Sequence, residues 1–412
     1  MEYGCIGEKL KHSFSKEIHA LLADYEYTIK EIPRDELHSF MVERNFRAIN
    51  VTIPYKQEVI PYLDFVSEKA KEIGAVNTIV NKDGKLFGFN TDFYGMTDMI
   101  NNAGIDIANK KVLVLGSGGT SLTANAVAKA LGAKCILTVS RKGGEGLITY
   151  DEVYKNHTDA EVIINTTPVG MYPKLDAMPI DISAFSKLMG VVDAIYNPLR
   201  TKLVSEAKKR GIKATGGLYM LVAQAAKASE KFIDSEISHD TIGEVYKKVK
   251  SQKQNIVLIG MAGCGKTTIG KTLAQEIDAK FVDTDEEIIK RENTTITEIF
   301  GSKGEQYFRN VEAKVIEEIS AFSGKVIATG GGAILDPKNI ENLKQNGKLY
   351  FIDRPLESLV ATADRPLSSN RADLEKRYYE RYDKYTAAAD VKIKATDDVE
   401  SNAKLILDDI RN

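Results

Sequence analysis

Cysteine is scarce in this sequence: Cys5, Cys135 and Cys264 are the three among 412 residues. Their spacing fits neither a disulfide framework nor a Cys/His metal site, so reduced thiols in a cytoplasmic setting are expected. Charge of one sign is lacking as well. With 56 basic and 58 acidic residues the net charge is −2, so no global basic field argues for nucleic acid or an anionic membrane, and any anion site must be local. No window approaches the ~18 consecutive apolar residues of a membrane-crossing helix. Met1-Glu2-Tyr3-Gly4 is not a basic segment running into an apolar stretch, so no signal peptide is expected. Repeats and long low-complexity tracts are missing too. The partners expected from this are small molecules, without nucleic acid or membrane; a homo-oligomer is compatible with the composition.

What is present is a normal globular balance, 43% hydrophobic, in a chain too long for one core at ~100–200 residues per domain. Two different glycine-rich loops stand out. Gly116-Ser117-Gly118-Gly119-Thr120-Ser121 follows the apolar run Val112–Leu115, and Gly260-Met261-Ala262-Gly263-Cys264-Gly265-Lys266-Thr267 follows Ile256–Ile259. The short polar stretch Val249–Asn255 is the best boundary between them.

Around the first loop, a strand at 111–115, a helix at 120–131 and strands at 133–139, 160–165 and 190–195 give the order of a dinucleotide-binding α/β block. Residues 101–217 are read as that Rossmann-type domain. Residues 1–100, joined by an amphipathic helix at 218–231 and the stretch to about 250, form a second lobe, with a cleft between the two. A glycine turn opening a helix aims backbone N–H groups at a pyrophosphate. The next strand ends in Ser140-Arg141-Lys142 rather than in the acid that holds a ribose 2′-hydroxyl. Two cations and a hydroxyl suit a 2′-phosphate, so NADP(H) is the expected cofactor.

The front block carries, in order, Tyr3–Gly7, His12–His19, Asn50-Val51-Thr52-Ile53-Pro54-Tyr55-Lys56, Gly74–Thr78 and Gly88–Gly95, then Asn165–Met171, Asp193–Pro198 and Gly216–Gln224. This ordered set resembles shikimate dehydrogenase across nearly all of residues 1–250. The resemblance implies that Lys56 and Asp92 are catalytic, a lysine beside a carboxylate holding and relaying a proton at a carbonyl oxygen. It assigns substrate carboxylate and hydroxyls to Ser13, Ser15, Thr52, Asn77, Thr91, Tyr196 and Gln224. On the cofactor side it places Gly116, Ser117, Gly118, Gly119, Thr120, Ser140, Arg141, Lys142, Gly217 and Met220, together with Glu68, an acid in the helix before Gly74.

The second loop fits the P-loop pattern without a mismatch and lies between a strand and a helix beginning near Lys266. Gly263, Cys264, Gly265, Lys266, Thr267 and Thr268 are expected to hold ATP phosphates, with the Thr267 hydroxyl on Mg²⁺. The strand at 280–282 ends in Asp283-Thr284-Asp285, paired acids facing a nucleotide cleft. Phe300–Arg309, Glu312, Val326–Ala333, Asp364–Leu367 and Arg381–Tyr385 then follow, and residues 255–412 resemble shikimate kinase. That resemblance puts Asp283 on Mg²⁺ and Asp285 on the hydroxyl to be phosphorylated. It puts Arg309 and Arg381 on the substrate carboxylate and Gly330, Gly331 and Gly332 beside the substrate. Lys266 and Arg365 of the lid fall on the transferring phosphoryl group. By spacing alone, Arg309 and Glu312 would read as a helix-surface ion pair. The lid segment is shorter than in many relatives.

The expectation is an α/β protein holding a two-lobed, NADP-linked dehydrogenase and a P-loop kinase with a parallel sheet. It would reduce 3-dehydroshikimate with NADPH and phosphorylate shikimate with Mg·ATP. Two alternatives stay open: a quinate/shikimate dehydrogenase using NAD fused to a small-molecule kinase, and a ligand-sensing regulator built from degenerate enzyme domains.

Overall fold

Runs of β-branched and aliphatic residues bounded by glycine or polar turns form the strands here, and the helices between them return the chain for the next parallel strand. The computed structural model describes residues 1–10, 14–359 and 371–411. Two units divide the chain, Met1–Val249 and Lys250–Asn412.

The first unit contains two six-stranded sheets. In one, β1 (Tyr3–Gly7), β2 (Tyr27–Glu31), β3 (Ala48–Val51), β4 (Phe65–Val66), β5 (Thr78–Lys82) and β6 (Lys85–Phe89) lie in the order β2-β1-β3-β5-β6-β4. It is mixed, because β5 pairs antiparallel with both β3 and β6. In the other, β7 (Lys111–Leu115), β8 (Cys135–Val139), β9 (Leu147–Ile148), β10 (Val162–Asn165), β11 (Gly190–Asp193) and β12 (Lys213–Thr215) lie in the order β12-β11-β10-β7-β8-β9. This sheet is parallel throughout. Its central strands are uninterrupted apolar runs, and Val112 to Leu115 and Val162 to Ile164 are completely buried. That is the pattern of a sheet covered on both faces.

Helix Leu218–Ile233 returns from the second sheet and packs on helices Ser15–Leu22 and Asp92–Asn102 of the first. Leu218, Val222, Ala225 and Ala226 close a core there with Phe14 and Ile18. In the same lobe His19 is fully buried, its ring stacked 3.8 Å from that of Tyr27 and its Nδ1 2.6 Å from the Tyr25 hydroxyl. Burial pushes its pKa down to about 3, so the imidazole is neutral and packs as an aromatic ring.

Helix His239–Lys253 crosses the division between the units and buries Ile242, Val245 and Val249. The polar stretch read as the boundary therefore coincides with the division and is helical as far as Lys253. Its lysines and glutamine have adequate helix propensity, and Lys250 and Lys253 suit the negative end of the helix dipole.

In the second unit, β13 (Asn255–Ile259), β14 (Lys280–Asp283), β15 (Lys325–Ala328), β16 (Gly347–Asp353) and β17 (Val391–Lys394) make a parallel sheet in the order β14-β15-β13-β16-β17. The P-loop leaves the central strand β13, and the ends of β14 and β15 lie to one side of it. The helical run Ile296–Ser320 breaks at Gly304, where φ is 80°. Arg309 and Glu312 belong to its second stretch.

Candidate functional site

In the first unit, Lys56 sits in the turn after β3 and Asp92 opens helix Asp92–Asn102. Lys56 Nζ donates to Asp92 Oδ2 at 2.5 Å, with side-chain exposures of 13% and 8%. The Val76 amide anchors the turn by donating to the Lys56 carbonyl at 2.8 Å. A carboxylate in the first turn of a helix is favoured by the helix dipole. Lys56 also faces the glycine loop: a Cβ built on Gly119 would lie 3.7 Å from its Cδ.

Beside this pair lies a buried cluster of amides and hydroxyls. Asn77 Nδ2 donates to Thr91 Oγ1 at 3.0 Å and to Gln224 Oε1 at 3.5 Å, and the Thr91 amide donates to Asn77 Oδ1 at 2.7 Å. The cluster extends beyond the residues singled out from sequence. Thr78 Oγ1 donates to Asn77 Oδ1, Asn50 Nδ2 donates to Thr78 Oγ1, and the Tyr27 hydroxyl donates to Asn50 Oδ1. Asn90 was also given no role; its Nδ2 donates to the Ala75 carbonyl and its Oδ1 accepts from the Phe93 amide, tying the segment before β5 to the Asp92 helix. The signal for Asn50, Thr78 and Asn90 was their place inside the quoted motifs, without which a lone asparagine reads as a turn residue; Tyr27 lies outside those motifs.

Tyr196 packs its ring 5.3 Å from that of Phe14, and burial pushes its phenol up to about 12. Thr52 follows β3, its amide donating to the Ile6 carbonyl, and Ser15 begins helix Ser15–Leu22. Ser13 lies outside the described residues.

The glycine loop joins β7 to helix Gly119–Ala130. Gly116 has φ 112°, and a Cβ there would meet Thr166 Oγ1 at 2.7 Å. Gly118 caps the helix with no side-chain hydrogen bond, so the backbone N–H groups of the turn formed by Ser117, Gly118, Gly119 and Thr120 are left uncapped at a helix N-terminus. Ser140 Oγ donates to the Gly143 carbonyl at 3.3 Å. Arg141 and Lys142 are exposed, and among the described residues neither has an ion-pair partner. Gly217 is wedged against the Ala194 carbonyl, where any Cβ would collide, and begins the helix that carries Met220 and Gln224. Glu68 is not brought to the loop by any hydrogen bond among the described residues; it is solvent-facing and pairs with Lys71 at 3.0 Å.

In the second unit, Gly260, Gly263 and Gly265 all have positive φ, the conformation that bends the loop around phosphate. Lys266 Nζ donates to the carbonyls of Gly260 and Met261, both at 2.9 Å, and lies 3.7 Å from Cys264 Sγ. Thr267 Oγ1 donates to Asp283 Oδ2 at 2.8 Å, and Asp283 Oδ1 accepts from the Asp285 amide at 2.9 Å. Thr268 follows in the first helical turn and is exposed. One carboxylate and one hydroxyl, both hard oxygen donors, fit a Mg²⁺ ion that keeps waters and phosphate oxygens as its other ligands.

Asp285, Arg309, Glu312 and Arg381 converge on the Gly330-Gly331-Gly332 loop. A Cβ on Gly330 would lie 2.6 Å from Asp285 Oδ1 and 3.0 Å from Glu312 Oε1, and one on Gly332 would overlap the Arg309 guanidinium. Arg309 donates to Glu312 Oε2 at 2.7 Å and to Glu305 Oε1 at 3.1 Å. Glu312 is only 1% exposed, so this is a buried pair and not the surface pair its spacing suggests. Burial raises the Glu312 carboxyl despite the neighbouring Arg309, and its Oε1 has no hydrogen-bond partner among the described residues. Arg381 donates to the Gly331 carbonyl at 2.9 Å, as does Tyr385 at 2.5 Å. Burial lowers the Arg381 pKa, and among the described residues no carboxylate pairs with it. Arg365 lies outside the described residues.

Residues 262–411 match the family profile of shikimate kinase, and residues 5–79 match that of the shikimate dehydrogenase substrate binding domain. A shikimate dehydrogenase (NADP(+)) of Clostridium beijerinckii is 38% identical over 261 residues, covering 59% of this chain and 96% of that protein. Among solved structures, a chorismate mutase/shikimate 5-dehydrogenase fusion protein from Clostridium acetobutylicum is 38% identical with a TM-score of 0.57, covering 60% of this chain and 96% of that one. A shikimate 5-dehydrogenase from Thermus thermophilus, solved in complex with NADP(H) and shikimate, is 29% identical with a TM-score of 0.54, covering 60% and 99%. The chain therefore belongs to the shikimate dehydrogenase family and continues into a shikimate kinase domain, as a bifunctional enzyme of the shikimate pathway.

Proposed function

We propose that the first unit reduces 3-dehydroshikimate to shikimate with NADPH, and that the second phosphorylates the 3-hydroxyl of shikimate with Mg·ATP. The observation that carries the reading is the buried Lys56–Asp92 pair beside the glycine loop. NADPH supplies the hydride. Lys56 donates a proton to the substrate oxygen as hydride addition turns the carbonyl into a hydroxyl, and the Asp92 carboxylate holds the lysine in place while it takes a proton back from solvent. Asn77, Thr91 and Gln224 read ring hydroxyls by exchanging bonds within their own cluster. Tyr196, Thr52 and the Ser13–Ser15 segment complete the substrate side. The unpaired Arg141 and Lys142 support a 2′-phosphate, and so NADP over NAD.

In the second unit, Mg·ATP supplies the phosphoryl group. Lys266 moves from its two carbonyls to phosphate oxygens, Thr267 and Asp283 hold the metal, and Asp285 accepts the proton of the attacking hydroxyl. Arg381 and Arg309 take the substrate carboxylate, which gives the buried Arg381 the anion it otherwise lacks. The setting is a cytoplasmic one with small-molecule partners; among the described residues no helix is long and apolar enough to cross a membrane.

Incubating the purified chain with 3-dehydroshikimate, NADPH and Mg·ATP tests both reactions by mass spectrometry. Shikimate 3-phosphate is expected. Shikimate alone overturns the kinase half of the reading, and unchanged 3-dehydroshikimate overturns the dehydrogenase half. A labelled pulse of 3-dehydroshikimate is expected to equilibrate with added shikimate before phosphorylation, since fusion by itself gives no channel.

A further inference from the structure

Asp193, the last residue of β11, is a completely buried carboxylate. Its Oδ1 accepts from Asn165 Nδ2 at 3.0 Å and from the Ile195 amide at 3.1 Å, and its Oδ2 accepts from Thr201 Oγ1 at 2.7 Å. Among the described residues no cation pairs with it. A buried charge without a counter-ion is expensive, and burial pushes this carboxyl up to about 6. A neutral core residue would be cheaper, so the location of its three partners matters.

Two of the partners lead to walls of the dehydrogenase site, and the third to a helix cap. Asn165 ends β10, and its Oδ1 accepts from both the amide and the hydroxyl of Thr167. Between them Thr166 donates its hydroxyl to the Leu115 carbonyl and packs on Gly116, the first glycine of the cofactor loop. The Ile195 amide leads to the turn that precedes Tyr196. The Ile195 carbonyl accepts from the Gly217 amide at 2.8 Å, where helix Leu218–Ile233 starts toward Met220 and Gln224. Thr201 caps helix Lys202–Lys209, its hydroxyl accepting from the Val204 amide.

We propose that Asp193 is a positioning residue of the dehydrogenase site, whose charged carboxylate fixes the cofactor loop, the Tyr196 turn and the Gln224 helix in one mutual arrangement. The proposal rests on the dehydrogenase reading above. Charge matters because an ionised carboxylate only accepts, and all three partners donate to it. An asparagine keeps the shape and two of the bonds but presents N–H to Thr201, whose hydroxyl proton then has nowhere to go.

The test uses the full chain carrying Asp193→Asn and, separately, Thr201→Val. Turnover, KM values and thermal melting are measured, with kinase turnover of the same sample as an internal control. Asp193→Asn is expected to lower dehydrogenase kcat roughly tenfold or more, as small misplacements of reacting groups do. KM for 3-dehydroshikimate should stay within about twofold, with melting not lowered and kinase turnover unchanged. Thr201→Val should show a smaller loss of the same kind. Wild-type kcat in Asp193→Asn overturns the proposal, and so does a loss of kcat matched by a drop in melting temperature, which marks a merely structural role. A wild-type chain that reduces no 3-dehydroshikimate overturns the underlying reading itself, and that result precedes any variant.

Discussion

The two candidate sites hold their lysines in opposite ways. Lys56 is already neutralised by Asp92 at 2.5 Å, whereas Lys266 rests on two backbone carbonyls with no carboxylate among its described partners. Arg381, beside Lys266's loop, is likewise bound to a carbonyl. The difference follows from the proposed chemistry. A site that passes a proton needs donor and acceptor together before substrate arrives. Where phosphate and carboxylate are to be bound, Lys266 and Arg381 are held by neutral carbonyls, so that an anion exchanges partners without breaking an ion pair first, while Arg309 keeps its pair with Glu312.

The largest effects should come from crossing that comparison. Lys56→Ala should cut dehydrogenase kcat by about 10²–10⁴-fold and leave kinase turnover intact, while Lys266→Ala should cut kinase turnover by about 10²–10³-fold and leave the dehydrogenase intact. Coupled assays of each reaction alone check both, and a variant that damages both activities breaks the separation. Next, Arg381→Ala should raise the kinase KM for shikimate by the equivalent of about 2–5 kcal/mol with the KM for ATP little changed. An ATP-side effect would mean that this arginine belongs to the phosphate cradle instead.

A third prediction concerns pH and only the first unit. Burial raises the Asp193 carboxyl from 3.8 to about 6, so the folded state binds that proton more tightly than the unfolded chain does. Its contribution to stability is full below the unfolded value and is lost as pH rises through 6. Between pH 3.5 and pH 7 the stability of Asp193→Asn should therefore rise relative to that of wild type by up to about 3 kcal/mol, on top of a pH-independent cost for the stranded Thr201 hydroxyl, read by urea unfolding. The smallest effect is at the surface: Arg141→Ala should lower the preference for NADPH over NADH by roughly tenfold. An unchanged ratio would separate cofactor choice from this residue.

How much of this was legible from sequence depends on whether the physics is local. Both glycine loops and the helices they open were readable, because backbone φ, capping and the apolar run before each loop are set within a dozen residues. The Lys56–Asp92 contact was not: it closes between a turn and a helix start 36 residues apart, and only the family resemblance pointed to it. The boundary at Val249–Asn255 was readable and the division falls there, but that the helix runs on to Lys253 was not, because its last turn has no apolar position to reveal the period. The burial of Glu312 was not legible, because spacing gives the ion pair but not the β15 loop that buries it. The Asp193 knot was invisible for the same reason, since Asn165 and Thr201 meet it through the sheet and a turn rather than through sequence periodicity.

His19 and Asp193 exchange their usual identities as titrating groups. The imidazole is held near 3 and the carboxyl near 6, so of these two buried groups it is the carboxylate that gives an inflection near pH 6, the signature normally given to histidine, and Asp193→Asn removes it. Heat tells them apart. Imidazole protonation releases considerable enthalpy and its midpoint drifts with temperature, whereas a carboxylate ionises almost without heat. The inflection should hold still on warming, and its calorimetric signal should follow the buffer and not the protein.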